Sequence, residues 1–592
     1  MFPIATLNNP DRSKLRAAFP QIEALFRTFA EQHPIPGVAY GIVIDGELVL
    51  AGGTGVQNVT SQTPVNADSV FRIASMTKSF TAMALMQLRD EGKFNLDDAV
   101  EKHVPELAAL PYPTRDSAKI TVRQLLTMSA GFPQDDPWAD RQLAASESDL
   151  SAWMAKGITF SNPPGVKYEY SNFGYAILGR IVTNVAGVLY QDYVTENILK
   201  PLGMTSTTFD VSKVDPQRLA MGYRRQDGEW IEEPPLPDGA FASIGGLFTT
   251  INDFARYMNT LLAAFPPRDE AESGPLKRSS LREMMQGHRQ RMVSSSRATP
   301  DVPAWYMSDG YGYGLACGVD SLLGYSVSHG GGLPGYGTFY RLLPEANVGI
   351  VALGNVTYSS ISLRVQDACV MLQQTGGLVQ RVVPPSDALL DIQKGVNELY
   401  ETWSDEGVKA LSTESFFLDM ALERRRKQVQ DLRASYGKVL SSTAFEAENN
   451  LRGRWWMQCE NGRIEAYITL SPTVPPKMQT LQLIAAKLLS AGLQAAVDRV
   501  VSLIGGWDEA QAGDAFAPTV DRAAVQRQLA AVGVQYGSIT LGEALEGDGG
   551  TQTRVRLVGT QGITDMKVVL DAESGKISAV TFSRPRETMF VP

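Results

Sequence analysis

The chain has 592 residues, 44% of them hydrophobic and 20% charged, which describes an ordinary globular protein with ample material for a core. A formal net charge of -10 argues against nucleic acid or an anionic membrane as the main partner. Cys317, Cys369 and Cys459 are odd in number and far apart, and His33, His103, His288 and His329 are equally scattered, so neither a disulfide framework nor a metal site is expected.

Residues 1–12 hold no basic stretch followed by an apolar one, and no run of about 18 apolar residues occurs anywhere. On that reading no membrane span is expected and the chain stays in the cytoplasm. Leu15, Phe19, Ile22, Leu25, Phe26 and Phe29 recur at helical spacing and predict one amphipathic helix over 15–29. Residues 37–44, the turn Asp45-Gly46 and residues 48–53 read as a β-hairpin.

Residues 71–89 follow, and between Arg72 and Arg89 the only charge is Lys78. Met76, Phe80, Met83, Ala84 and Leu88 recur at helical spacing, so a buried helix is predicted with Gly92 as its stop. Ser75 and Lys78, three apart, share one face of its first turn, where free N–H groups favour developing negative charge. A lysine in apolar surroundings loses proton affinity by desolvation, and an amine that can lose its proton can help activate a serine. Ser-x-x-Lys is a weak pattern, and a lysine at a helix start can simply snorkel.

Residues 120–131 open a helical region with Gly131 as stop; hairpin, buried helix and helical insert suggest a sheet with a helical domain grafted between its strands. Pro163, Pro164 and Gly165 make a turn and 176–189 a helix, so Tyr170-Ser171-Asn172 falls on the connecting loop. Tyr170 offers a phenol for proton shuttling and Asn172 an amide for holding a carbonyl, although Tyr-x-Asn can equally do no more than cap the next helix. Residues 239–250 precede a helix from Asn252 onward, and the polar stretch 266–303 reads as a solvated surface excursion. Residues 338–343 and 348–353 are predicted strands joined by a turn at 344–347. Gly330, Gly331 and Gly332 after His329 let backbone come close to a ligand and aim N–H groups at it.

Ser75-Met76-Thr77-Lys78, Tyr170-Ser171-Asn172 and His329-Gly330-Gly331, in that order, resemble the serine β-lactamase and penicillin-binding protein superfamily. The nearest likeness is to the branch of class C β-lactamases, D-alanyl-D-alanine peptidases, D-aminopeptidases and related esterases. Residues 121–131 and 199–204 carry further phrases typical of that branch, and the resemblance spans roughly residues 15–375. It implies an α/β fold, an antiparallel sheet flanked by helices with an inserted helical domain. It implies Ser75 as nucleophile, Lys78 and Tyr170 sharing the base work in an undecided order, and Asn172 orienting the substrate. It also implies an oxyanion hole from the N–H groups of Ser75 and Gly332, after Gly331, with no metal or organic cofactor. Lactamases usually carry lysine where His329 stands, a departure that leans towards peptide or amide substrates.

Residues 382–387 read as a linker. Beyond it Leu389, Ile392, Val396, Leu399, Tyr400 and Trp403 form a helix stripe that returns 104 residues later as Leu493, Ala496, Val500, Leu503, Ile504 and Trp507. Phe416, Tyr436-Gly437 and Leu470 return 100 residues on as Phe516, Tyr536-Gly537 and Leu570, so two small repeated α+β modules are expected. They weakly resemble the cone-shaped nuclear-transport-factor-like modules appended to some hydrolases. The expected division is a hydrolase domain, 1–380, then modules at 381–488 and 489–592. Lid, substrate-size filter and homo-oligomer contact all fit such modules, and the residues do not choose among them. Trp455 and Trp456 are expected in a core or interface.

The resulting expectation is a cytoplasmic serine hydrolase cleaving a small peptide, amide or ester through an acyl-Ser75 intermediate, leaning to peptidase or amidase. The alternatives are a carboxylesterase with weak lactamase activity and a penicillin-binding sensor that acylates without turning over.

Overall fold

The computed structural model describes residues 12–134, 141–296, 305–379, 384–559 and 562–583. Residues 37–44 lack charged side chains, which suits a strand covered on both faces. Gly37–Ile44 is that strand, paired with Glu47–Gly55 on one side and Val348–Gly354 on the other. Asp45 and Gly46 take φ of 50° and 90°, as a two-residue hairpin turn requires. The eight-stranded antiparallel sheet runs Glu47–Gly55, Gly37–Ile44, Val348–Gly354, Tyr336–Leu343, Gly324–Leu333, Ala316–Asp320, Trp305–Tyr311, Arg289–Ser296. On one face Phe26 and Val365, from helices Phe19–Gln32 and Ile361–Gln374, pack with Val38, Ile42 and Ile350. On the other, helices Ile251–Leu262 and Lys78–Asp90 pack with Ala39, Val43 and Val351. Between the second strand and Arg289 the chain builds the inserted helical layer. The fold is the expected antiparallel sheet flanked by helices.

Several local expectations change. Pro20 cannot sit in a helix interior, so the helix expected over 15–29 is split into Ser13–Arg16 and Phe19–Gln32, with Pro20 in the first turn of the second. In 120–131 only Val122–Leu126 is helical, capped by Thr121 and Gln124. Gly131 is no helix stop; a Cβ there would strike the Asn162 carbonyl. The helix expected from 176 begins at Asn172, because the Ser171 hydroxyl accepts from the Gly174 N–H at 3.1 Å and caps it. The stretch 266–303 is not all solvated surface: Arg278–Met284 is a helix and Arg289–Ser296 is the outer strand of the sheet. The glycines after His329 lie within a strand, Gly324–Leu333.

Beyond residue 384 a nine-stranded sheet carries two similar halves. Helices Asp387–Glu401 and Leu422–Tyr436 have counterparts Ala491–Gly505 and Arg522–Tyr536, each of 15 residues. Each half has its own core, around Leu389, Phe416 and Trp455 in the first and Leu493, Phe516 and Leu557 in the second. Their sheets meet edge to edge at one parallel pair, Ala486 and Gly547. Trp455 is fully buried and its indole N–H donates to Asn397 at 2.9 Å; Arg463 stacks on Trp456 at 3.8 Å. Of the expected linker, Val382 and Val383 lie outside the described residues; Ser386 caps the helix that follows.

No single described helix is long and apolar enough to cross a membrane. The apolar helix Asn172–Ala186 is buried in the core of the insert.

Candidate active site

The segment 71–89 is not one continuous helix. Phe71–Arg72 is a short strand, Ala74–Thr77 a 3₁₀ turn, and Lys78–Asp90 the helix, ending ahead of Gly92 at φ 74°. Ala74 has φ of 50°, a left-handed conformation that costs an alanine free energy and persists only where its surroundings enforce it. Here the enforcers are visible. The Thr338 hydroxyl donates to the Ile73 carbonyl at 3.0 Å, and the Ile73 N–H donates to Leu247 at 2.9 Å. Gly331 lies so close beneath this turn that a Cβ would collide with the Ile73 carbonyl. The strained turn presents Ser75 half-buried at the wall of a cavity of about 860 Å³.

Lys78 is fully buried, yet its ammonium nitrogen has a partner on several sides. Nζ donates to Ser75 Oγ at 3.0 Å, to Asn172 Oδ1 at 2.8 Å and to the Ile244 carbonyl at 2.8 Å. It also lies 5.0 Å from the ring centre of Tyr170 and 5.8 Å from that of Tyr175. A buried charge is tolerable only when its hydrogen bonds are met, and these contacts meet them. Asn172, at the first turn of its helix, thus spends its carbonyl oxygen on Lys78. Tyr170 stands just before the extended Ser171 cap, with its ring 6.4 Å from that of His329.

His329 is buried and electrically silent. Its Nδ1 lies 2.6 Å from the Gly330 carbonyl and so carries the proton, which leaves Nε2 to accept from the Tyr311 hydroxyl at 3.0 Å. Burial first, then the positive charge of Lys78, pushes its pKa down to about 3. A lysine-like cationic role at this position is therefore not available near neutral pH. Burial and the neighbouring tyrosines likewise push the Tyr311 and Tyr175 hydroxyls well above the usual phenol range.

Strand Ala316–Asp320 pairs with the His329 strand only as far as Ser328. From His329 to Leu333 that edge has no strand beside it among the described residues, and Gly330 and Gly332 line the cavity there. A Cβ at Gly332 would meet the ring of the exposed Tyr358, which would have to shift to admit a side chain there. The structure thus gathers Ser75, Lys78, Tyr170, Asn172, His329, Gly331 and Gly332 around one cavity, from three separate stretches of chain.

A β-lactamase family model matches residues 22–368, more than half of the chain. The chain belongs to the β-lactamase family. It is 29% identical over 338 residues to Protein flp of Staphylococcus aureus strain MW2 and 30% identical to that of strain COL, in both cases covering 57% of this chain and 63% of the relative. The chain thus spans under two thirds of the length of these relatives. It is 31% identical over 261 residues to β-lactamase-like protein 2 of Dictyostelium discoideum, covering 42% of this chain and 46% of that one. Among solved structures, the octameric penicillin-binding protein homologue from Pyrococcus abyssi aligns over 96% of this chain and 98% of its own, with a TM-score of 0.52 and 19% identity. That likeness concerns the fold, and it extends through the C-terminal modules. Members of the β-lactamase family are typically serine hydrolases, and the site here has the parts for that chemistry.

Three contributors escaped the sequence. The Ile244 carbonyl is backbone and has no sequence signal. Tyr311, in the stretch Tyr-Gly-Tyr-Gly, carries no local sign that its hydroxyl meets His329. Arg291 was assigned to solvent, yet its side chain lines the cavity and stands 3.2 Å from Asp309. Among the described residues no group of three or more His, Cys, Asp or Glu is placed to hold a metal ion.

Proposed function

We propose that the chain is a serine hydrolase acting on a peptide or amide, with esters as faster surrogate substrates. The observation that carries this reading is the buried Lys78 ammonium 3.0 Å from a half-buried Ser75 hydroxyl at the wall of a large cavity. Ser75 Oγ attacks the carbonyl carbon while its proton passes to the Lys78–Tyr170 pair, which accepts it from the state that holds one proton fewer, as lysine amine with phenol or as ammonium with phenolate. The C–N or C–O bond then breaks, the departing amine or alcohol takes that proton, and acyl-Ser75 remains. Water adds to the acyl carbon, releasing the acid and restoring Ser75. The N–H groups of Ser75 and Gly332 serve as the oxyanion donors, with Gly331 allowing the close approach of strand and turn. Asn172 holds Lys78 in place and turns its amide nitrogen to substrate. The neutral His329 leaves this strand without the lysine that lactamases carry there, which supports amides over β-lactams.

The test is a fluorophosphonate probe followed by peptide mass spectrometry, together with turnover of p-nitrophenyl esters, D- and L-aminoacyl anilides, short peptides and a chromogenic cephalosporin. Labelling at Ser75 with amide turnover supports the reading; labelling elsewhere overturns it. One round of acylation without product release would instead make the chain a sensor.

The three-unit division, 1–380, 381–488 and 489–592, belongs to the same proposal. Separate cores support it, and Arg12, which donates to the Gly377 carbonyl at 3.2 Å, closes the first unit on itself. We assign the modules to homo-oligomer contact, supported by the full-length likeness to an octameric homologue. Sedimentation of the whole chain and of residues 1–383 checks both points. Cytoplasmic residence is part of the proposal too, supported by three buried cysteines that are all free, and fractionation tests it.

A further inference from the structure

Arg291 lies on Arg289–Ser296, the outermost strand of the eight-stranded sheet, where a charged residue would ordinarily point into water. The strand pairs Gln290 with Gly310 and Met292 with Asp309, so Arg291 is the unpaired residue of a β-bulge. A bulge turns one side chain out of the alternation, and here it turns the guanidinium into the wall of the cavity that Ser75 lines.

Three groups hold it there. Asp309 takes one corner of the guanidinium at 3.2 Å, and the rings of Tyr168 and Tyr311 lie 5.2 Å and 5.9 Å from its central carbon. A planar cation packed on aromatic rings is pre-organised, and it still has N–H donors to spend on a planar anion. Asp309 engages one corner of the guanidinium and leaves its other N–H groups to face the cavity. The other basic groups in or beside the cavity have partners of their own as well. Lys78 is bound to Ser75, Asn172 and Ile244, His329 is neutral, and Arg341 stands 3.7 Å from the buried Asp320. Tyr311 links the two ends of the site, touching Arg291 with its ring and His329 with its hydroxyl.

We propose that Arg291 is the specificity-determining anchor for a carboxylate carried by the substrate, so that this enzyme selects acidic acyl or peptide substrates. The inference rests on the hydrolase reading of Ser75 and says which substrates that site prefers. Asp309 is the positioning residue that holds the guanidinium at the cavity wall.

The experiment compares kcat/KM for matched probes on the full chain. One pair is p-nitrophenyl butyrate and the mono-p-nitrophenyl ester of glutarate; another is a short peptide with a free C-terminus and its C-terminal amide. The carboxylate-to-neutral ratio in at least one pair should fall about 10- to 100-fold in Arg291→Gln, the scale of one charge-assisted hydrogen bond, and chiefly through KM. Arg291→Lys should recover part of that ratio, and Asp309→Asn should shift it less than Arg291→Gln does. Thermal midpoints of the variants separate lost recognition from lost folding. Ratios unchanged by Arg291→Gln in both pairs, with the variant folded, overturn the inference while Ser75 labelling still stands. If Ser75 takes no probe in the wild-type chain, the hydrolase reading itself has failed.

Discussion

Two buried cations, one in each part of the molecule, are handled by the same physics and come to different ends. Lys78 is 0% exposed and Arg425, in the first C-terminal module, is 7% exposed. Arg425 donates to the Phe416 carbonyl at 2.7 Å and the Met420 carbonyl at 3.1 Å, and lies 3.5 Å from the ring centre of Phe416. Both side chains meet the cost of desolvation with nearby acceptors. Arg425 donates to backbone carbonyls, which have no chemistry to offer, and the cavity beside it is about 20 Å³, room for about one water. Lys78 instead has a hydroxyl among its acceptors, and that hydroxyl faces about 860 Å³. A buried cation alone is a strut. It becomes a candidate for catalysis when one of its partners can react and a substrate can reach that partner.

The comparison can be broken most directly at Ser75. Ser75→Ala should lower kcat by roughly four or more orders of magnitude while the thermal midpoint stays nearly unchanged, since only one hydroxyl is lost. Residual turnover within tenfold of wild type would return Lys78 to the class of struts.

Lys78→Met and Tyr170→Phe should each lower kcat by about two to four orders of magnitude, the scale of general acid–base catalysis. Lys78→Met should also reduce stability by about 1–3 kcal/mol for each buried acceptor left without its donor, at Asn172 and Ile244. Acylation at a near-normal rate in either variant, followed with the covalent probe, would remove that residue from the base work.

Arg425→Met is the counterpart on the other side. It should cost about 1–3 kcal/mol in urea unfolding, through the unmet carbonyls of Phe416 and Met420, and leave p-nitrophenyl ester turnover unchanged. A large fall in kcat would mean that the module reaches the chemistry.

The smallest effect on turnover near neutral pH belongs to His329, whose titration bears on stability instead. Its folded pKa, about 3, lies below the 6.5 of an unfolded chain, so between those values the unfolded chain binds more protons. Stability should therefore rise with pH across that window and fall as pH drops from 6.5 towards 3, by at most about 1.4 kcal/mol per pH unit from this residue. His329→Gln should flatten that part of the urea-midpoint profile. No step from His329 should appear in kcat/KM between pH 5 and 8. A peptide-specific fall there, removed by the substitution, would show a charged imidazole after all.

The repeated modules were legible because duplication preserves spacing even where identities drift, and Tyr436-Gly437 and Tyr536-Gly537 mark the same helix end twice. The helix starts were less legible. Ser171 and Pro20 were present as local signals, and each moved a boundary, because a cap and a proline act on single positions that hydrophobic periodicity averages over. Arg291 could not be placed from its neighbours at all. A bulge is a mismatch between two strands, and neither strand records it alone.

What the sequence by itself determined was the order of three short motifs, the apolar stripe that buries the Lys78 helix, and the apolar strand at residues 37–44. These are local or periodic properties, carried by side-chain type. Only the tertiary structure decided the charge of His329, because that depends on burial and on the distant Lys78 and Tyr311. It likewise decided the strain at Ala74, enforced from Thr338 and Gly331, and the entry of Arg291 into the cavity. Electrostatic and steric terms act through space, between residues hundreds of positions apart in the chain, and they acquire values only when the chain is folded.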